Sequence, residues 1–204
     1  MEDVLDVYAL PYDPKFPVVC MDESCKQLLG EVRPPLPRQP GIPERKDDEY
    51  VRMGAAQIFL AVEPLTRKTI IHIGQTRARR DWAHFMRTVI DAYPEATKVR
   101  LVMDNLNTHG TASFYDTFLP EEAHRLASKL EIHYTPKHGS WLNIAEIELS
   151  SYKRGCLRER MPTHECVRSA TEAWLSSRKA GKIQWQFRSE DARIKLRSLY
   201  PTYS

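Results

Sequence analysis

Two runs rich in aliphatic and β-branched residues, 54–63 (GAAQIFLAVE) and 68–74 (KTIIHIG), are separated only by Pro64, Leu65, Thr66 and Arg67. So short a link permits nothing but a reversal, so the runs must pair as an antiparallel hairpin. The chain then changes habit. From Arg79 to Tyr93 the apolar positions Trp82, Phe85, Met86, Val89 and Ile90 recur at three and four residues, with Asp81 in the first turn and Pro94 past the end. That is the period of an amphipathic helix. Val99–Met103 (VRLVM) reads as a strand, Pro120–Leu130 as a helix, and 131–135 (EIHYT) as a strand stopped by Pro136. A long helix is expected from about Trp141 to Arg158, with Ala145, Leu149, Tyr152 and Cys156 on its buried face. Thr163 is a good N-cap for one more helix, running to about Lys179. Strands joined through helices pair in parallel. The expected fold is therefore α/β, a mixed sheet with an antiparallel beginning and a parallel continuation, flanked by helices.

Ahead of the hairpin, Phe16–Met21 (FPVVCM) is a buried-strand candidate ending at Asp22. Beyond it Pro34, Pro35, Pro37, Pro40 and Pro43 fall within ten residues and lead into the charged stretch 44–49. Proline fixes φ and removes donors, so 30–53 is read as an irregular insertion loop. The domain reading is 1–15 as a remnant or linker, 16–160 as the main domain, and 161–204 as a basic helical tail packed on it. A length of 204 residues fits this arrangement, and 42% hydrophobic with 28% charged residues is ordinary globular composition. No run of eighteen apolar residues occurs, and the N-terminus MEDVLDVYALPYD carries acids where a secretory signal carries bases. Four cysteines without paired short spacing exclude a disulfide framework and argue against zinc, so a cytoplasmic setting is expected. The net charge of +3 is unevenly spread: residues 147–204 hold 12 basic against 6 acidic side chains. That permits a polyanionic partner.

Three acids stand out by position. Asp22 closes the first strand, Asp104 closes VRLVM, and Glu146 lies in the first turns of the long helix. Carboxylates at the carboxyl ends of strands line the crevice where α/β sheets bind ligands. Bare acids there are costly unless a cation neutralises them, and oxygen-only ligands suit Mg²⁺. Taken singly, a strand-terminal Asp is as well explained as a turn residue. Glu148 is the rival of Glu146. Two residues along a helix turn the side chain by about 200°, so only one of the pair faces the site. Asn143, Glu146, Ser150 and Lys153 share a face by spacing, which favours Glu146.

The ordered set resembles the catalytic domain of DDE transposases of the insertion-sequence 630 / Tc1–mariner superfamily. The matching pieces are Val-Val-Cys-Met-Asp-Glu at 18–23, Val-Met-Asp-Asn-Leu-Asn-Thr-His at 102–109 and Thr-Pro-Lys-His-Gly-Ser-Trp-Leu-Asn-Ile-Ala-Glu at 135–146. The stretch 183–201 resembles the family's ending. The resemblance implies a ribonuclease H-like (retroviral-integrase-like) fold with a five-stranded mixed sheet. It also implies DNA transposition by metal-dependent strand cleavage and strand transfer. Asp22, Asp104 and Glu146 become the catalytic and metal-holding acids, with Mg²⁺ the expected ion and Mn²⁺ its substitute. Asn105, His109 and Asn143 become supporting residues of the active site. Lys137, His138, Lys153 and Arg154 are candidates for DNA backbone contact, and Arg158 and Arg160 continue the basic run.

Two departures accompany the likeness. The 41 residues between Asp104 and Glu146 are more than the superfamily usually has. The helix-turn-helix modules that recognise element ends do not fit in the fifteen residues before the first strand. The chain is therefore expected to be the second reading frame of a split transposase, served by a separately encoded N-terminal helix-turn-helix product, or a truncated remnant. The resemblance further implies DNA as partner, a homodimer, a bacterial nucleoid-associated location and a clamp-like role for the Pro-rich loop. Two other functions remain open at this point: a ribonuclease H-like nuclease without strand transfer, and a non-catalytic DNA-binding remnant.

Overall fold

The computed structural model describes residues 1–43, 45, 47–105, 109–137 and 139–200, with only the backbone of Leu199. Its centre is a five-stranded sheet in the order β3-β2-β1-β4-β5. The strands are β1 (Val18–Glu31), β2 (Tyr50–Val62), β3 (Thr69–Gly74), β4 (Val99–Met103) and β5 (Leu130–Tyr134). β1, β2 and β3 pair antiparallel, whereas β1–β4 and β4–β5 pair parallel. The hairpin turn between β2 and β3 is closed by Glu63 N–H to Lys68 O and Arg67 N–H to Glu63 O, with Arg67 at a left-handed φ of 61°. Each parallel step is spanned by helices, as short links cannot join parallel neighbours.

Alternation along the strands sorts the side chains into two cores. Val19, Met21, Phe59, Ala61, Leu101 and Met103 face one side. They are covered by α2 (Arg79–Asp91) and α4 (Pro120–Lys129), with the short α3 (Ala112–Tyr115) between. Cys20, Ile58, Leu60, Val62 and Val102 face the other. There they meet α1 (Glu2–Ala9), α5 (Ile144–Cys156), α6 (His164–Ser177) and α7 (Ser189–Lys195). The result is a sheet between two helical layers.

Three sequence expectations change. β1 does not stop at Asp22 but runs on to Glu31, because β2 stays paired with it from Cys20↔Val62 to Glu31↔Tyr50. Pairing with β4 ends at Cys20↔Val102, so the far half of β1 and the near half of β2 project as a two-stranded ribbon. The long helix starts at Ile144, since 140–142 forms a 3₁₀ turn first. Residues 1–15 are not a bare linker. Val4, Leu5 and Val7 bury one face of α1 in the core, a helical spacing hidden among four acids and two prolines. The tail packs on the same body through Val167, Thr171 and Ala192.

Candidate active site

The register of the parallel strands places the first two acids. Cys20 pairs with Val102, so Asp22 lies two residues farther along β1 and Asp104 two residues farther on the neighbouring chain segment, just past the end of β4. A step of two returns a side chain to the same face, so both carboxylates share the α5 side of the sheet. The two strands are about 4.8 Å apart, which makes the carboxylates close neighbours. Leu60, opposite Asp22 on β2, belongs to the same face.

The third acid is delivered by the start of α5. Asn143 is its N-cap: Oδ1 accepts from Ala145 N–H at 3.1 Å, while Nδ2 donates to Met21 O at 2.8 Å. The sequence Asn-x-x-Glu has the form of a capping box, in which the glutamate would fold back on the N-cap amide. Here that amide already donates to Ser140 O at 2.7 Å. Glu146 is therefore released from capping, and its carboxylate enters the crevice. Asp22, Glu23, Asp104, Ser140, Asn143, Glu146, Ser150 and Lys153 line a cleft of about 350 Å³. The helix face expected from spacing, 143, 146, 150 and 153, is the face that lines it.

The electrostatics of the cleft are strained by design of the chain itself. Burial first, then the negative charges of Asp104, Glu146 and Glu23, push the Asp22 carboxyl up to about 6, against one backbone hydrogen bond from Glu23 N–H. Burial also raises Asp104, opposed by His109 and reinforced by Glu23. Neither acid is neutralised by a salt bridge to a protein cation among the described residues. Uncompensated carboxylates in a half-buried crevice are what a divalent ion relieves. The donor set is oxygen throughout, which suits Mg²⁺ or Mn²⁺ rather than a soft metal. No three His, Cys, Asp or Glu side chains among the described residues are yet set closely enough to enclose an ion. The residues fit such an ion by chemistry and charge.

The remaining expected site residues are placed unequally. His109 does not line the cleft. It is buried, stacks on Trp82 at 5.6 Å and 12°, and sets Nε2 2.8 Å from Glu23 Oε1, a contact whose direction does not meet hydrogen-bond geometry. It thus sits between Trp82 of α2 and Glu23 of β1. Asn105 is exposed beside Asp104. Lys153 stands exposed at the rim of the cleft, Arg154 and Lys137 are exposed outside it, and His138 lies outside the described residues. Glu148 faces the other way: it is 1% exposed and pairs with Arg178, whose guanidinium also lies 4.3 Å from the Trp174 ring. Arg160 does not continue a free basic face. It donates to Glu31 at 2.7 Å and to the carbonyls of Glu49 and Asp48, tying the segment after α5 to the ribbon. Glu23 and Ser140 line the cleft without a role read from the sequence, whereas Ser150 lies on the helix face that spacing marks. Glu23 sits on the opposite strand face from Asp22 by alternation, yet it also borders the cleft.

A second cleft of about 360 Å³ lies on the α1 side, lined by Tyr8, Val18, Ile144, Trp185 and their neighbours. It carries no carboxylate, so it offers none of the chemistry above.

A family model described as "DDE superfamily endonuclease" matches residues 17–168, a span that contains Asp22, Asp104 and Glu146. Among solved structures, a Mos1 transposase paired-end complex with left transposon end is 16% identical with a TM-score of 0.53, over 81% of this chain and 49% of that one. The Mos1 mariner paired end complex with Mn is 16% identical at 0.53, over 86% and 52%. A pre-cleavage Mos1 transpososome is 15% identical at 0.54, over 86% and 53%. The chain thus spans about half the length of each. The shared part is the ribonuclease H-like architecture, a mixed five-stranded sheet flanked by helices. No curated protein matches the chain.

Proposed function

This chain belongs to the DDE superfamily of endonucleases, and from that membership we propose that it is a transposase catalytic domain that cleaves DNA strands at an element's ends and joins them to target DNA. The observation that carries this reading is the pairing of Cys20 with Val102, which sets Asp22 of β1 beside Asp104 just past the end of β4, with Glu146 lining the same cleft. Asp22, Asp104 and Glu146 would hold divalent ions, Mg²⁺ by preference with Mn²⁺ as substitute. Such ions supply charge neutralisation at the attacking and leaving oxygens of an in-line displacement.

The chain's own residues do the rest. Asp22 and Asp104, fixed by the sheet, need no reorganisation when a phosphodiester arrives, which is where most of phosphoryl-transfer catalysis lies. The Lys153 ammonium at the rim meets a non-bridging phosphate oxygen. The Ser140 and Ser150 hydroxyls are placed to orient water or a phosphate oxygen. In cleavage, water attacks phosphorus and a strand leaves with a free 3′-hydroxyl. In joining, that hydroxyl attacks a target phosphodiester and displaces a target 3′-oxygen, so bonds made equal bonds broken. Lys137 and Arg154, exposed outside the cleft, serve as DNA backbone contacts, and His138 keeps that candidacy from the sequence alone. The projecting ribbon supports a homodimer. Val32, Leu36, Ile42, Tyr50, Val51 and Met53 are exposed around its tip, an apolar set that a monomer has no use for.

The test is a labelled DNA substrate carrying the inverted repeats found beside the gene, incubated with Mg²⁺ or Mn²⁺ and with chelator. Metal-dependent nicks are expected, and a pre-cleaved end should yield joined products. Nicks without joining would favour a plain nuclease. No metal-dependent product, with or without an added helix-turn-helix partner, would overturn the reading.

Metal and pH should act on stability together. Asp22 takes up its proton more readily folded than unfolded, so its contribution is full below about pH 4 and is lost as pH rises through about 6. The loss is at most about 3 kcal/mol, less whatever solvent screening removes. Mn²⁺ should therefore raise Tm by several degrees at pH 7.5, where the acids are charged, and by little at pH 5, where the ion competes with a proton. A Tm shift equal at both values would exclude ion binding at this cluster.

A further inference from the structure

The acid cluster is braced from a part of the chain outside the stretch matched by the family model. α1 precedes that stretch, yet its Tyr8 reaches the start of α5. The Tyr8 hydroxyl donates to Leu142 O at 2.9 Å and accepts from Ile144 N–H at 3.3 Å. These are the two residues on either side of Asn143. Asn143 in turn donates to Met21 O, next to Asp22, and its carbonyl accepts the Glu146 amide at 3.0 Å. One phenol thus pins the residue that joins the strand of the first acid to the helix of the third.

Resting on the functional reading above, we propose that Tyr8 is a positioning residue for the active site, acting through Asn143 to set the separation of Asp22 and Glu146. The brace has its own supports. Asp3 pairs with His133 of β5 at 2.9 Å. Glu2 holds Arg193 of α7, and Ser189 donates to Asp6 at 2.7 Å. The Trp185 ring packs on Tyr8 with centroids 5.3 Å apart. Strand, helix and tail therefore converge on α1, and α1 delivers one hydroxyl to the loop before Glu146. Ile144 N–H is a first-turn donor that a helix cannot satisfy internally, so losing the phenol removes its oxygen acceptor and leaves only the weakly accepting Cys20 sulfur near it. A tyrosine placed for packing alone would have no need to bond both sides of one residue.

The variant Tyr8→Phe keeps the ring and removes only the hydroxyl. Glu2→Gln is the control, since it weakens the docking of α1 but leaves the phenol in place. Three readouts separate the cases: Mn²⁺ affinity by electron paramagnetic resonance, amide hydrogen exchange, and single-turnover cleavage against metal concentration. In Tyr8→Phe, roughly threefold to tenfold weaker Mn²⁺ binding is expected, the worth of one buried hydrogen bond. The Ile144, Ala145 and Glu146 amides should exchange faster, and cleavage should need correspondingly more metal at unchanged KM for DNA. Glu2→Gln should leave all three as they were. Unchanged Mn²⁺ affinity in Tyr8→Phe, or a loss equally large in Glu2→Gln, would overturn the positioning role. A wild-type protein that binds no Mn²⁺ would instead overturn the functional reading and this inference with it, a failure visible before any variant is made.

Discussion

Replacing Asp104 with alanine is expected to lower metal-dependent strand cleavage by about a thousandfold or more, while DNA binding holds or strengthens. The size follows from what the residue does. Removing one preorganised electrostatic group from a transition-state site costs on the order of 10²–10³ in rate. Asp104 would in addition hold an ion on which both displacements depend. Its carboxylate is set by backbone register, so no neighbour on β4 can move in to replace it: Met103 faces the opposite core. DNA binding is spared because the substitution deletes a negative charge from a cleft that must admit phosphates. The fold is spared for a related reason. Asp104 is held above its ordinary ionisation range by burial and by Glu23, so its removal relieves repulsion on Asp22 instead of breaking a bond. Cleavage within tenfold of wild type, by a variant that melts normally, would remove Asp104 from the catalytic role.

Much of this site was legible before any coordinates, for physical reasons that differ by element. The hairpin 54–74 and the helix from Arg79 declare themselves because their periods and their breakers agree. Helix α5 shows its cleft face by spacing alone, since a helix projects every third and fourth residue whatever packs on it. The residues that escaped are those set by long-range partners. Asp22 sits inside β1 instead of ending it, because β2 extends the strand from outside its own sequence. Arg160 reads as one more cation in a basic run until the ribbon's carbonyls are seen to claim it. His109 reads as an active-site group through its motif, yet its stacking on Trp82 depends on a residue far away on α2. Tyr8 carries no signal in sequence at all, for its partners are backbone atoms 134 and 136 residues on.

The adjacent glutamates of α5 should separate stability from chemistry. Glu148 is 1% exposed and paired with Arg178, whose side chain is itself mostly buried. Neutralising one member of such a pair leaves the other charge in a poor dielectric, at a cost of about 3 kcal/mol or more. Glu148→Gln should therefore lower Tm by roughly 6–12 °C for a domain of this size. At a temperature where it stays folded, cleavage should remain within about tenfold of wild type, since Glu148 lines no part of the cleft and such changes outside a site are transmitted only weakly. Glu146→Gln should do the reverse. Its carboxylate makes no structural bond that the helix start requires, because Asn143 already caps α5 and donates its own amide to Ser140. Its Tm should stay within a degree or two of wild type, rising if anything as charge leaves the cluster, and its cleavage should fall by about a thousandfold. Melting curves and cleavage rates on the same two preparations decide the matter. An active Glu146→Gln beside an inactive but folded Glu148→Gln would exchange the two roles. That outcome would require α5 to turn by more than half a revolution, against the Asn143 tether to Met21.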